Sequence, residues 1–384
     1  MSARRGLRLA ALSVAQVVSW GVLYYATIVA APVIADETGW SLVAVTGLFS
    51  LGLVVSAVGG IVVGRVLDDV GPRLVMTLGS IAGVAGFVAV ALAPNLGIFA
   101  LGWIVVGLAQ SAVLYQAAFT VLTRRYGDRR HAPMTILTLA GGLASTVFAP
   151  VVAGLLGVTD WRTTYLVLAA ILAVVTIPAH WFSLERRWPA HEHADESIHT
   201  VSTVLRTRRF WALEIGMVAM ALSLYTVTLS AIPLFVEKGF SFELAAVALG
   251  LVGAGQIVGR LLFVVMPRST APWVPVAVIA GLSALFVALL AVIPGPPWLL
   301  IVVGVLAGAV RGAHTLVQAS AVADRWGTRN YGSINGAFAA PITIVEALTP
   351  AVGAILATGL GSYSLMALVM AGVALVAIGL ARAS

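Results

Sequence analysis

The chain has 384 residues, of which 60% are hydrophobic and only 10% charged, with a formal net charge of +7. A soluble domain keeps roughly 25% charged residues to stay solvated, so this composition excludes an ordinary water-soluble fold and points to lipid as the solvent. The absence of cysteine excludes disulfides, thiolate metal sites and thiol catalysis.

In chain order, apolar runs of roughly 20 residues lie near 9–33, 42–64, 74–93, 97–122, 132–157, 162–182, 210–235, 244–266, 273–293, 298–322, 332–357 and 362–381. The first is too long for a signal-peptide core and has no convincing cleavage site, so it reads as a retained span. With the N-terminus inside, every Lys or Arg except Arg162, Lys238 and Arg311 falls in or beside a cytoplasmic segment. That asymmetry is the positive-inside rule. The basic charge therefore reports topology, and no nucleic-acid partner is expected.

The segment 183–209 divides the spans into an N-terminal bundle, 1–182, and a C-terminal bundle, 210–384. It carries His191, His193 and His199 and ends in VLRTRRFW (204–211), which reads as a short surface helix facing anionic headgroups. The halves repeat one another. ETGWS (37–41) returns as EKGFS (237–241), GRVLDDVGPR (64–73) as GRLLFVVMPR (259–268), RRYGDR (124–129) as DRWGTR (324–329), and APVVAGLL (149–156) as TPAVGAIL (349–356). Three of these pairs share an offset of 200 and the other has 195. A six-plus-six repeat is the signature of a carrier whose halves rock about a central site.

Gly64-x-x-x-Asp68-x-x-Gly71-x-Arg73, between spans 2 and 3, resembles the signature loop of the major facilitator superfamily. The glycines permit a tight turn and close helix approach. Asp68 can accept hydrogen bonds from a neighbouring helix terminus or pair with an arginine, while Arg65 and Arg73 pin the loop to the cytoplasmic face. The resemblance implies an all-α fold of twelve transmembrane helices in two pseudo-repeat bundles, with this cluster latching the halves in one conformation. Gly39-Trp40 and the stretch 125–132 are similar to bacterial relatives of monocarboxylate transporters. The chain departs from that branch in SWGVLYYA (19–26), and from many proton-driven exporters in having Trp103 where they carry an arginine.

Charges inside spans cost roughly 2.5–3.5 kcal/mol each to insert, so those that persist invite a functional reading. Arg311 lies near the middle of span 10 and Glu346 near the middle of span 11, while Glu214 reads as a snorkelling or latch residue. Arg311, His314 and Gln318 share one helical face. The resemblance turns that face toward the transport path. Arg311 is the candidate for an anionic substrate group, because a guanidinium makes two parallel charge-assisted bonds to a carboxylate. A permanent Arg311–Glu346 ion pair is the competing structural reading. Glu346 is the candidate proton carrier, since its ionisation would respond to whether Arg311 is occupied, and His314 is a second candidate. Trp20 and Tyr24 on span 1, Gln110 and Gln116 on span 4, and Tyr225 on span 7 are candidate substrate contacts, with inter-helix packing as the alternative for each.

The expected function is secondary transport of a small organic anion, proton-coupled or by exchange, across a bacterial inner membrane with both termini cytoplasmic. The alternative is an efflux carrier of the same fold for neutral or cationic compounds. No cofactor is implied, no enzyme activity is expected, and a monomer suffices. The H-x-H at 191–193, with Asp195, Glu196 and His199, reads as a polar linker rather than a metal site.

Overall fold

A computed structural model describes residues 3–188, 201–265 and 271–384. His191, His193, Asp195, Glu196, His199 and Arg268 lie outside the described residues. The described secondary structure is helical throughout, and eleven helices are long and apolar enough to cross a membrane. One further helix, α13 (Phe242–Val265), contains the apolar stretch Val247–Phe263. These are the twelve spans read from the sequence.

Span 1 is α1 (Ala3–Trp20), a π-helical turn (Gly21–Tyr25) and α2 (Ala26–Thr38). Spans 2 and 3 are α3 (Leu42–Val70) and α4 (Pro72–Ala91). Span 4 is α5 (Leu96–Val113) with α6 (Tyr115–Tyr126), and span 5 is α7 (His131–Gly142) with α8 (Ala144–Leu156). Span 6 is α9 (Trp161–Ser183). The short α10 (Val201–Leu205) precedes span 7, formed by α11 (Arg208–Leu229) and α12 (Ala231–Glu237). After α13 come α14 (Trp273–Val292), α15 (Pro297–Trp326), α16 (Tyr331–Leu360) and α17 (Tyr363–Ala383) as spans 9 to 12.

Polar caps start many of these helices. The side chains of Ser41, Asn95, Asp160, Thr207 and Ser362 accept from the backbone N–H of Ala44, Ile98, Thr163, Phe210 and Leu365. Each satisfies a donor that the first helical turn leaves free. Large apolar side chains such as Val43, Val158 and Phe182 are turned outward, as a lipid-facing surface requires.

The chain forms two compact units, Met1–Ile198 with Gly327–Ala340, and His199–Trp326 with Pro341–Ser384. The beginning of α16 thus belongs to the first unit, and the helix passes to the second from Pro341. The first unit is centred on an apolar core that includes Leu23, Phe87, Phe99, Trp103, Trp161 and Tyr165. In the second, α13 packs on α15, and α17 on α11 and α14.

Candidate substrate site and signature loop

In the second unit, span 7 is interrupted at Ser230, between α11 and α12. Just before the interruption stand Tyr225 and Thr228. Arg311, from the middle of α15, donates through Nη1 to Thr228 Oγ1 at 3.1 Å. Its guanidinium carbon lies 4.0 Å from the centroid of the Tyr225 ring. The Tyr225 hydroxyl is within hydrogen-bonding reach of Arg311, Thr315 and Glu346. Glu346, on α16, sits in the electrostatic field of Arg311. Among the described ion pairs, none joins Arg311 to Glu346. The arginine rests instead on a neutral hydroxyl and an aromatic face, and its Nε is buried with no hydrogen-bond partner. A cation whose direct contacts are neutral groups remains open to a direct bond from an incoming anion.

His314 follows one turn later, completely buried, with its ring 6.3 Å from that of Tyr225. Neither of its ring nitrogens has a partner. Gln318, two turns from Arg311, is half-buried. The structure therefore gathers Arg311, Tyr225, His314 and Glu346 into one cluster, with Thr228 as its anchor. Glu214 was expected near the interface, in a snorkelling or latch position. It is 2% exposed, and both carboxyl oxygens are buried without a partner.

The first unit presents rings rather than charges. Trp20 meets Tyr24 at 5.3 Å and Tyr115 at 4.9 Å, and Tyr24 continues to Phe49 at 5.4 Å. The cluster forms where spans 1 and 4 are both irregular, at the π-turn and at Leu114. Gln110 is buried and its amide donates to Leu23 O at 2.7 Å. Gln116 is half-buried and lines a small cavity with Gly60, Gly64, Asn335 and Gly336.

At one end of this unit lies the signature loop. Asp68, in the last turn of α3, accepts from Ser333 N at 2.6 Å, Ser333 Oγ at 2.7 Å and Gly332 N at 3.2 Å. It thereby caps the start of α16, where backbone N–H groups and the helix dipole favour an anion. It also pairs with Arg124 Nη1 at 3.2 Å. Both partner types expected for Asp68, a helix terminus and an arginine, are present together. Gly64 makes the close approach possible, because a Cβ there would stand 2.0 Å from Gly332 O. Gly71 takes φ 94°, a conformation that side-chain-bearing residues rarely adopt. Arg73 donates through Nε to Leu184 O at 2.9 Å, while Arg65 is exposed.

A strap follows span 6 that no motif in the sequence announces. Trp188 donates to Leu67 O at 2.7 Å and covers Arg124, whose guanidinium carbon is 4.6 Å from the ring centroid. Glu185 pairs with Arg8 and Arg125. The available signal was a lone acid beside an arginine pair in LERRW, 184–188.

Interrupted membrane helices thus surround an aromatic cluster in the first unit and a cationic one in the second. A family model described as Major Facilitator Superfamily matches residues 12–339. The chain belongs to that superfamily and is a multi-pass membrane protein with the superfamily's fold. It is 29% identical over 228 residues to an uncharacterized 38 kDa protein of Thermoproteus tenax, covering 59% of this chain and 57% of that one. It is 26% identical over 154 residues to the uncharacterized MFS-type transporter YcxA of Bacillus subtilis, covering 39% and 35%. The matches thus span between about a third and three fifths of those relatives. The crystal structure of the E. coli fucose:proton symporter FucP superposes with TM-score 0.73 at 14% identity, over 98% of both chains. That of the human organic anion transporter MFSD10 gives 0.70 at 14%, over 99% of this chain and 100% of that one.

Proposed function

We propose that the protein carries a small organic anion, a carboxylate, with Arg311 as its binding group. The observation that carries this reading is the state of Arg311: a cation within a span, held by Thr228 and the Tyr225 ring, with no direct acidic partner among the described ion pairs. A purely structural arginine at this depth would be expected to close a salt bridge with Glu346, because an unpaired charge there is costly. Glu346 and His314 are the proposed proton carriers, placed so that an anion arriving at Arg311 changes the field each of them feels. Gln318 and Tyr225 complete the proposed site in the second unit, with Trp20, Tyr24, Gln110 and Gln116 as its proposed apolar and amide counterpart in the first.

The proposed arrangement is two six-helix bundles, 1–182 and 210–384, joined by the segment 183–209. It acts as a monomer in a bacterial inner membrane with both termini cytoplasmic, as the arginine distribution supports. Gly64, Arg65, Asp68, Gly71 and Arg73 serve as a conformational latch, a role supported by the capping of α16 by Asp68.

The test is thermal stabilisation of the purified protein by a panel of small carboxylates, amines and neutral compounds, beside Arg311→Ala. A ligand at a hundred times its Kd adds about 2.7 kcal/mol to the native state. The expected result is that a carboxylate raises the melting temperature of the wild type and not of the variant. Stabilisation by amines or neutral compounds alone, equal in both proteins, contradicts the reading and favours an efflux carrier of the same fold.

A further inference from the structure

The first and fourth spans are each interrupted, and two glutamines cross between the interruptions in opposite directions. Gln16, on α1, donates through Nε2 to Val113 O at 2.5 Å. Val113 is the last residue of α5, and Leu114 after it leaves the helical conformation (ψ −165°). Gln110, on α5, donates through Nε2 to Leu23 O at 2.7 Å, inside the π-turn of span 1. The glutamines are 0% and 1% exposed, and the Oε1 of each is buried without a partner. Only the donor end of each amide is therefore engaged. Because its target is a carbonyl, the orientation of each amide is fixed by chemistry.

A buried glutamine that leaves its own acceptor unmatched costs free energy. A carbonyl has two lone pairs and can take such a bond within a continuous helix as well; what is particular here is that both targets lie at interruptions. The arrangement is matched to the interruptions: each helix supplies the hydrogen bond for the other's irregular carbonyl. Trp20 lies between Gln16 and Leu23 in the chain, Tyr24 follows Leu23 and Tyr115 closely follows Val113, and Trp20 is in ring contact with both tyrosines. The second unit shows a tie of the same direction, with Arg311 on span 10 reaching Thr228 just before the interruption of span 7. The repeat offset of 200 puts Gln110 opposite Val310, the residue before Arg311.

We infer that Gln16 and Gln110 are positioning residues: their reciprocal amide-to-carbonyl bonds hold spans 1 and 4 interrupted and so keep the Trp20–Tyr24–Tyr115 cluster in place for substrate. The second half of that statement rests on the reading of this cluster as a substrate contact; the first does not.

The test compares backbone hydrogen exchange in the wild type, Gln16→Met and Gln110→Met, which keep side-chain length and remove the donor. The pattern expected is crossed. Gln16→Met speeds exchange in the span 4 peptide covering 111–118, and Gln110→Met speeds it in the span 1 peptide covering 21–26. Each rises roughly tenfold, the size expected for orphaning one buried carbonyl. A rise confined to the mutated span, or spread evenly over the unit, overturns the inference. Should neither variant fold, the wild type still decides: both peptides are expected to be as protected as the middle of α9, and rapid exchange there overturns the ties. In parallel, benzoate is the stabilising probe. A crossed exchange pattern with a reduced benzoate shift supports the positioning role, and an undiminished shift overturns it. No benzoate shift in the wild type counts against the anion reading alone, and the exchange arm still judges the ties.

Discussion

Arg311 is anchored rather than neutralised, and that distinction makes its chemistry testable at a single atom. Lysine keeps the charge but loses the planar fork and the aromatic stacking. Arg311→Lys is therefore expected to weaken carboxylate binding by about tenfold or more, corresponding to at least one good charge-assisted hydrogen bond. Isothermal titration in detergent reads this directly, and equal affinity would show that charge alone suffices. Past the apolar run that ends at residue 235, Glu237 gives a pH signature. Partial burial pushes its carboxyl up, but hydrogen bonds from Ser364, Ser362 and the Tyr363 N–H outweigh that, leaving it below the ordinary glutamate range. A depressed carboxyl contributes stability above the unfolded-state pKa and loses it as pH falls through the folded value. Wild type and Glu237→Gln melting temperatures should therefore differ at neutral pH and converge in acid. The difference should be small, below about 1 kcal/mol, because the group is exposed. At this scale Arg311, His314, Glu346 and Tyr225 were legible, because polar groups are rare inside spans. The partnership of Arg311 with Thr228 was not, since it depends on which face of α11 meets α15. The burial of Glu214 argues against the snorkelling reading, and it was not legible for a related reason: distance along the helix from the membrane boundary says nothing about whether a side chain faces solvent or a neighbouring helix.

The helices run further than their apolar stretches. α3 continues to Val70 and carries Asp68 within its last turn, whereas the apolar run ends near residue 64. Hydropathy reports where lipid ends, while helical hydrogen bonding continues until a cap or glycine stops it, here Gly71. The interruption at Leu114 has no glycine or proline beside it, whereas that at Leu143 directly follows Gly141-Gly142 and the π-turn begins at Gly21. Hydropathy runs straight through all three, because glycine is common in membrane helices that stay continuous. Glycine contacts on α3 offer a direct comparison. Gly64→Ala places a methyl against the backbone of Gly332 and is expected to cost about 1–3 kcal/mol, as overpacking does. On the same helix, Gly47→Ala meets no atom within 4 Å and should be neutral or stabilising by up to about 1 kcal/mol. Melting temperatures of the two variants settle the order. Equal effects would mean that the α3 contact at Gly64 yields freely.

On the scale of the whole molecule, the repeat, the span count and the superfamily were legible from four short collinear matches and one loop motif. A duplicated membrane unit must keep its turn residues and its basic flanks, even where lipid-facing residues drift. What drifted is the chemistry: aromatic rings around Trp20 in one unit, and a guanidinium around Arg311 in the other. The sequence could not tell a static Arg311–Glu346 pair from a switch, because that depends on a few ångströms of side-chain placement. The central claim is tested most directly in proteoliposomes loaded with a pH-sensitive dye, by imposing an inward gradient of a stabilising carboxylate and comparing wild type, Arg311→Ala and protein-free vesicles. The account predicts a carboxylate-dependent change of internal pH with the wild type, above the passive leak of the weak acid in empty vesicles, and only that leak with Arg311→Ala. Equal signals from wild type and Arg311→Ala would contradict it.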